Sequence, residues 1–260
     1  MQLLLKTTVT FIIFLLGCYL SAQQNPYIEH YDNGKTKASG FKTDAGTLIG
    51  KWTYYRKDGS VDAEITYNAQ GSPQGPFAMY YRNGQLQTKS SYSGEGFYEM
   101  HGPYEDYHKN GQLQSIGSYK KNKTIGKWTS YWENGQIKAL TFYTKKGVIQ
   151  KNTEYFKNGQ LRLDALYNDI GDLTGTFALY YDTGQLRTQQ EFDADGNKIG
   201  TYTSYYPNGK LMEIGDYAGV DYFRKKGEWK TYYKSGQLKT KITYDNQGKR
   251  VGDILKFEEE

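Results

Sequence analysis

Apolar and polar residues alternate in short runs along nearly the whole chain, and glycine turns separate the runs. The segment Gly126–Tyr143, GKWTSYWENGQIKALTFY, shows the pattern, with two alternating runs on either side of Asn134-Gly135. Alternation over four to eight residues is typical of a half-buried β-strand, and Asn-Gly between two such runs is a hairpin signal. Each copy of this segment is therefore predicted to be a β-hairpin.

The hairpin segment occurs nine times, at a spacing of about 25 residues. Its turn glycines are Gly34, Gly59, Gly84, Gly111, Gly135, Gly159, Gly184, Gly209 and Gly236. A near-constant period indicates a repeat architecture, in which neighbouring units bury each other's apolar faces. We expect an all-β fold, an elongated and twisted antiparallel sheet of about nine consecutive β-hairpin repeats. The pattern leaves open whether that sheet stays open, curves or closes.

The turn residues predict how the two strands pair. Asn or Asp precedes the turn glycine in seven of the nine repeats. Such pairs favour the two-residue type I′ turn, since both central residues of that turn have positive φ. Folding about this turn pairs Trp132 with Ile137. It also pairs Tyr131 with Lys138. Alternation then places Trp128, Trp132 and Ile137 on one face, which we call the packing face.

Aromatic residues recur on the packing face and predict the core. The residues equivalent to Trp128 are Tyr27, Trp52, Phe77, Tyr104, Phe177, Tyr202 and Trp229, and the second strands close on Tyr67, Tyr92, Tyr119, Tyr143, Tyr167, Phe192, Tyr217 and Tyr244. A single hairpin is not stable in water, but stacked hairpins bury these rows against one another.

A second column of tyrosines is predicted on the opposite face, four residues before the turn glycine in eight of the nine repeats. Its members are Tyr55, Tyr80, Tyr107, Tyr131, Tyr155, Tyr180, Tyr205 and Tyr232, and we call them the tyrosine strip. The predicted cross-strand partners are mostly polar: Gln87, Gln114, Lys138, Arg162, Arg187 and Lys239. The rings can simply cover Lys and Arg stems in a strand-forming role. Alternatively, the strip is a partner-binding surface, because Tyr and Arg are favoured at interfaces.

Two parts of the array depart from the repeat. Most units open with a glycine, the first at Gly50, and glycine there suits a bulge between hairpins. Counted from that unit, the fifth unit has Gln150 there and Asn152 in place of the aromatic residue. A local irregularity is expected in this unit. Residues 252–260 match the first strand of a repeat without a second strand, and they are predicted to cap the sheet with charge.

The first 22 residues differ in kind from the repeats. An early lysine, an apolar run and small residues at Ser21 and Ala22 predict a signal peptide, residues 1–22, with the repeat array at 23–260. The protein is then expected to be exported to the periplasm or beyond the cell. The alternative is a lipoprotein anchored through Cys18, which follows Leu15-Leu16-Gly17. No other stretch is long and apolar enough to predict a membrane span.

The composition and motifs argue against several classes of function. The net charge of +5 is interspersed along the chain, so nucleic-acid binding is not expected. Cys18 is the single cysteine, and the three histidines lack the spacing of a zinc site. No nucleophile elbow, phosphate loop or marked carboxylate pair occurs. We expect no catalytic residues, no metal and no cofactor, and hence not an enzyme.

Three segments of the chain resemble the repeats of a known family. GKWTSYWENGQIKALTFY, GPFAMYYRNGQLQTKSSY and GEWKTYYKSGQLKTKITY resemble the second type of MORN repeat, the MORN-repeat variants, over nearly everything from Tyr27 to Phe257. Bacterial proteins of this type include the YwqK-like antitoxin components of toxin–antitoxin systems. The resemblance implies a β-hairpin array that serves as an interaction scaffold. In an exported protein, an antitoxin role would be immunity against an exported toxin.

The leading hypothesis is therefore a non-enzymatic, exported scaffold that binds a protein partner, including a toxin that it neutralises. The alternative is a cell-envelope or carbohydrate-binding repeat protein whose aromatic rings stack on sugars. A glycosidase would need an acidic pair specific to one unit, and nothing in the sequence marks one. A structural spacer would tolerate the deletion of a whole unit.

Overall fold

The structure is a computed structural model that describes residues 25–96, 98–221 and 223–259. The predicted signal peptide lies outside these residues. The described residues form nineteen β-strands: β1 Asn25–His30, β2 Thr36–Lys42, β3 Leu48–Tyr55, β4 Val61–Tyr67, β5 Pro73–Tyr80, β6 Leu86–Ser93, β7 Gly102–Tyr107, β8 Leu113–Lys120, β9 Lys123–Tyr131, β10 Ile137–Tyr143, β11 Ile149–Tyr155, β12 Leu161–Tyr167, β13 Leu173–Tyr180, β14 Leu186–Phe192, β15 Lys198–Tyr205, β16 Leu211–Ala218, β17 Lys225–Tyr232, β18 Leu238–Tyr244 and β19 Arg250–Lys256.

Each strand pairs antiparallel with its neighbours in the chain, from β1–β2 through to β18–β19. Among the described strands, contacts join sequence neighbours alone, so the protein is one open, single-layer sheet. The prediction of an all-β array of consecutive hairpins is confirmed. The pairing of β19 with β18 continues the array as the first strand of a further repeat.

The predicted type I′ turn is wrong. The amide of Gly135 donates to the carbonyl of Trp132 at 2.8 Å, and the amide of Trp132 donates to the carbonyl of Gln136 at 2.8 Å. Gly135 has φ of 82°, whereas Asn134 is not among the non-glycine residues with positive φ. This is a three-residue loop, a type I turn followed by a left-handed glycine that forms a G1 bulge.

The bulge changes the register that follows the turn. Ile137 pairs with Tyr131, and Lys138 is the extra residue in a register shift between Ile137 and Ala139. The predicted pair of Trp132 with Ile137 is therefore wrong. The predicted pair of Tyr131 with Lys138 is wrong for the same reason. One extra residue moves the next side chain to the other face of a sheet, so the packing face loses Ile137.

Farther from the turn, the predicted packing face is correct and forms the core. The buried aromatic residues are Trp52, Tyr67, Phe77, Phe192, Tyr217 and Trp229. The rings touch within and between strands, as where Phe77 stacks on Tyr92 with 4.4 Å between ring centroids. The core is thus a row of aromatic contacts along the sheet, built by side chains of successive hairpins.

Trp52, Trp128 and Trp229 each lie against a glycine of the preceding strand. A Cβ placed on that glycine would come within 2.5 Å of the indole ring in the first pair and 2.2 Å in the other two. The pairs are Trp52 with Gly40, Trp128 with Gly117, and Trp229 with Gly215. Each indole Nε1 donates to the carbonyl of the residue after the glycine, at 3.1 to 3.3 Å. Only glycine leaves room for the larger ring at this distance.

A hydrogen bond also joins most repeats to the next at the turn edge of the sheet. The residue three before the turn glycine donates to a backbone carbonyl one repeat later, as from Tyr81 Oη to Tyr107 O at 2.7 Å. The donors are Tyr31, Arg56, Tyr81, His108, Trp132, Tyr181, Tyr206 and Tyr233. Phe156 occupies the same position in the fifth unit and has no side-chain donor to offer.

The fifth unit forms its strands but differs at its opening. Gln150 is not among the residues with positive φ, whereas the opening glycines of the neighbouring units, Gly126 and Gly175, have φ of 65° and 62°. In the pairing of β10 with β11, Phe142 pairs with Lys151 and Tyr143 pairs with Ile149, so the register skips Gln150 alone. The predicted irregularity is thus a narrower bulge.

Candidate functional site

Each of the eight members of the tyrosine strip is the last residue in the first strand of a repeat, which is the predicted position. These strands are β3, β5, β7, β9, β11, β13, β15 and β17. All eight side chains are half-buried, and they follow one another along the face opposite the buried tryptophans. The strip therefore gives the sheet a repeated, partly exposed aromatic surface.

The cross-strand partners of the strip are aliphatic, not polar. In chain order they are Val61, Leu86, Leu113, Ile137, Leu161, Leu186, Leu211 and Leu238. The predicted partners Gln87, Gln114, Lys138, Arg162, Arg187 and Lys239 are wrong, because each stands at the register shift one residue later. The strip is consequently more apolar than the sequence indicated.

Contacts show where the displaced polar residues lie. The Nζ of Lys138 is 4.9 Å from the ring centroid of Trp132, and that of Lys239 is 5.3 Å from the ring of Tyr233. Arg162 forms an ion pair with Glu154. Trp132, Lys138 and Arg162 line a cavity of about 600 Å³ at the turn edge of the fourth and fifth units.

Two strip hydroxyls hold carboxylates on the face of the sheet. Tyr80 Oη donates to Glu64 Oε2 at 3.1 Å, and Lys51 Nζ lies 2.7 Å from Glu64 Oε1. Tyr107 Oη donates to Glu105. In both sets a carboxylate of one strand is bonded by a lysine and a tyrosine.

The second set, from β6 and β7, matches the first. Lys89 Nζ lies 2.9 Å from Glu105 Oε2. Hydrogen bonds from Tyr107 and Lys89 lower the pKa of Glu105, and the bond to Glu105 raises the pKa of Lys89. The same contact is the largest cause of the raised pKa of Tyr107. At neutral pH, Glu105 is therefore ionised beside a protonated lysine.

In the first set, burial raises the pKa of the Tyr80 hydroxyl, and its hydrogen bond to Glu64 raises it further. The hydrogen bond to Glu64 also raises the pKa of Lys51. Tyr80 and Lys51 are thus held in their protonated, donating forms around one carboxylate.

A groove of about 550 Å³ lies between the two sets, and we call it the central groove. Its lining residues are Lys51, Glu64, Thr66, Pro76, Phe77, Ala78, Lys89, Ser90, Ser91, Pro103 and Glu105. Ala78 stands six residues before its turn glycine, where six of the other seven repeats from the second to the ninth carry Thr, Glu or Lys. This groove was not predicted from the sequence, and the small residue at that position is only a partial signal for it, because Ala178 shares it.

The described part of the chain holds no group of three or more His, Cys, Asp or Glu side chains that is placed to bind a metal ion. Within the same residues, no helix has the length and apolarity that crossing a membrane requires.

Comparison with known proteins gives a family and weak structural likenesses. The model of the MORN repeat variant family matches residues 73–93, 100–121, 125–145, 173–197, 198–218 and 225–246, together about half of the chain. Crystal structures of TcdB2-TccC3 and of TcdB2-TccC3-Cdc42 are 14% and 12% identical over 82% and 80% of this chain, with TM-scores of 0.16 and 0.15. This chain spans 16% and 15% of those chains. A search of curated proteins gave no match.

Proposed function

This chain belongs to the MORN repeat variant family, and on that premise we propose that it is a non-enzymatic, exported scaffold that binds a protein partner through the tyrosine strip. The observation that carries the proposal is the strip itself, eight half-buried tyrosines each paired with an aliphatic residue. Tyrosine is enriched among the residues that dominate binding energy at protein interfaces. A row that repeats along one face presents many such anchors to one partner.

Export and toxin neutralisation are the finer parts of the proposal. Export is supported by the signal-peptide pattern of residues 1–22. Neutralisation of a toxin is supported by the resemblance to YwqK-like antitoxin components, and an exported chain would act on an exported toxin. Sequencing the N-terminus of the protein recovered from its own cells tests export, and we expect a start at Gln23. An unprocessed chain would contradict export, whereas a chain that starts at a lipidated Cys18 would support the lipoprotein alternative.

The absence of catalysis is also a proposal. A general acid needs a carboxyl group with a raised pKa, but hydrogen bonds from a tyrosine and a lysine lower the pKa of Glu105. Each carboxylate of the central groove is already occupied by two donors. Turnover of glycoside, ester or peptide substrates that is lost in Glu105→Gln would contradict this part.

Affinity capture with the full-length chain, tagged at its C-terminus, tests the partner. The test variant changes Tyr131, Tyr155 and Tyr180 together to Ser, and the matched control changes the same three to Phe. Because interface anchors contribute about 2 kcal/mol or more each, the Ser variant is expected to lose at least about 100-fold in affinity. The Phe variant keeps the rings and most of the affinity.

A single stoichiometric protein captured by the unaltered chain and lost with the Ser variant supports the proposal. Circular dichroism establishes that the Ser variant is folded. A folded Ser variant that retains every captured protein would refute binding through the strip. Recovery of envelope polymer without a protein would favour the alternative function, envelope or carbohydrate binding.

A further inference from the structure

The central groove is built from parts that differ from the rest of the array. It lies over β4 to β7, where Ala78 leaves space between the longer side chains of Glu64 and Lys89. Its volume of about 550 Å³ falls in the range of small-molecule sites, about 300–1,000 Å³. The groove is therefore large enough for a ligand of about two six-membered rings.

The walls of the groove offer fixed hydrogen-bonding groups. Glu64 and Glu105 are partly exposed, at 27% and 24%, and each is held by one lysine and one tyrosine. A carboxylate has about four lone-pair sites, so each retains acceptor positions for a ligand after those two bonds. The lysines Lys51 and Lys89 are 63% and 48% exposed and keep further N–H donors.

The charges of the groove balance. Two lysines face two glutamates, and each lysine already lies within 2.9 Å of a carboxylate oxygen. A charged ligand would have to compete with one of these ion pairs, whereas a neutral ligand can use the free acceptor and donor positions of both. The balance thus favours an uncharged ligand rich in hydroxyl groups.

The remaining lining combines apolar residues with the hydroxyl residues Thr66, Ser90 and Ser91. Pro76, Ala78 and Pro103 supply C–H surface between the two charged sets. A pyranose ring presents C–H groups on its faces and hydroxyl groups at its rim, which matches an apolar floor with polar walls. The four strands are each paired on both sides, so a peptide cannot bind here by adding a strand to a free edge.

From this combination we propose that the central groove binds a neutral saccharide of about two pyranose units, with its hydroxyl groups donating to Glu64 and Glu105. This site goes beyond the proposed protein partner, since it uses the carboxylates and the floor of the groove rather than the rings of the central strip tyrosines. The two activities can therefore fail separately.

Isothermal titration of the full-length chain with cellobiose, maltose and N,N′-diacetylchitobiose tests the site. We expect at least one of these probes to bind with a Kd on the order of 1 mM or tighter. Ala78→Phe fills the groove and is expected to weaken that binding at least about tenfold. The matched control is Thr203→Phe, which adds the same ring at the same repeat position, also half-buried, outside the groove, and should leave binding unchanged.

Glu64→Gln and Glu105→Gln give a second test that keeps the shape of the groove. Each loses a charged acceptor and is expected to weaken saccharide binding at least about fivefold, because hydrogen bonds to a charged group are the stronger kind. The triple Ser variant of the tyrosine strip should bind saccharide as the unaltered chain does. No binding of any probe by the folded chain, or equal binding by folded Ala78→Phe, would overturn the proposal.

Discussion

The contact between Trp229 and Gly215 makes the most direct prediction about the fold. The indole ring is 3% exposed, and a Cβ on Gly215 would lie 2.2 Å from its Cδ2 atom. Ordinary contacts of a Cβ begin near 3.4 Å, so Gly215→Ala must displace the ring by about 1 Å. That shift also stretches the 3.1 Å bond from the indole Nε1 to the carbonyl of Asp216.

The cost of this substitution follows from the two effects. Overpacking costs about 1–3 kcal/mol, and the weakened hydrogen bond adds about 0.5–1.5 kcal/mol. Gly215→Ala is therefore expected to lower the free energy of unfolding by about 2–4 kcal/mol. Trp229→Phe leaves a gap and removes the N–H donor, for a loss of about 1–3 kcal/mol.

Another unit of the array already has alanine and phenylalanine at these two positions. In another unit Phe177 pairs with Ala165, which is fully buried, so the double variant Gly215→Ala with Trp229→Phe recreates a combination that the fold already contains. We expect the double variant to be more stable than the sum of the single changes by about 1–2 kcal/mol.

Urea denaturation monitored by circular dichroism measures the cycle, and hydrogen exchange of the β16 and β17 amides reports the local part, since repeat arrays can unfold unit by unit. Ala165→Gly is the matched control: it removes a buried methyl group without a clash and should cost about 1 kcal/mol. Additivity of the two substitutions within about 0.5 kcal/mol would refute the reasoning.

Two further predictions concern the turn edge and the groove. Phe156→Tyr adds a donor toward the carbonyl of Tyr180 and is expected to raise the free energy of unfolding by about 0.5–1.5 kcal/mol. Tyr181→Phe removes the 2.7 Å bond to Tyr205 O and is expected to lower the free energy of unfolding by a similar amount. Thermal denaturation compares the two variants, and a Phe156→Tyr protein no more stable than the unaltered one contradicts the prediction. The pKa of Glu105 is lowered in the folded protein, so its ionised form stabilises the fold above the unfolded pKa of about 4.3, and this contribution is lost as pH falls through the folded pKa. Between about pH 7 and pH 3, the urea midpoint should therefore fall less in Glu105→Gln than in the unaltered chain. Equal pH dependence of the two midpoints would contradict the assignment.

The number and order of the strands could be predicted because the repeat period is explicit in the sequence. Two alternating runs per unit of about 25 residues give eighteen strands, and the half unit after Gly248 gives β19. The aromatic rows were also predictable away from the turns, since alternation by itself assigns Trp128 and its equivalents to one face. The structure confirms that face as the core.

The register at the turns could not be predicted from Asn-Gly alone. This pair suits both the type I′ turn and the type I turn with a G1 bulge, and only the φ of the asparagine distinguishes them. Here Asn134 uses its side chain instead: Oδ1 accepts from the amide of Gln136 at 3.1 Å, and Nδ2 donates to the carbonyl of Lys157 in the next turn at 3.3 Å. Asparagine recurs because it joins neighbouring turns, not because it adopts positive φ.

The tryptophans and glycines are visible in the sequence, but a pattern read along single strands does not show that they contact each other. Gly117 lies 11 residues before Trp128, on the adjacent strand. A glycine inside a strand indicates either a bulge or a close approach, and only the register shows that the approaching group is an indole ring. Cross-strand size matching therefore becomes predictable once the register is known.

The strip was predicted and the central groove was not, because the strip is shared by the repeats and the groove is local. A property that nearly every repeat shares, such as the tyrosine four residues before the turn glycine in eight of the nine repeats, is found by aligning the units. A groove arises where a unit departs from most of the others, and here the departure is the small Ala78, which Ala178 alone shares, placed beside Glu64 and Lys89. The repeats present the same binding surface in each unit, but the repeat pattern does not indicate at which unit a small ligand binds. In a single-layer array, such a site must therefore be sought at the positions where the repeat pattern is broken.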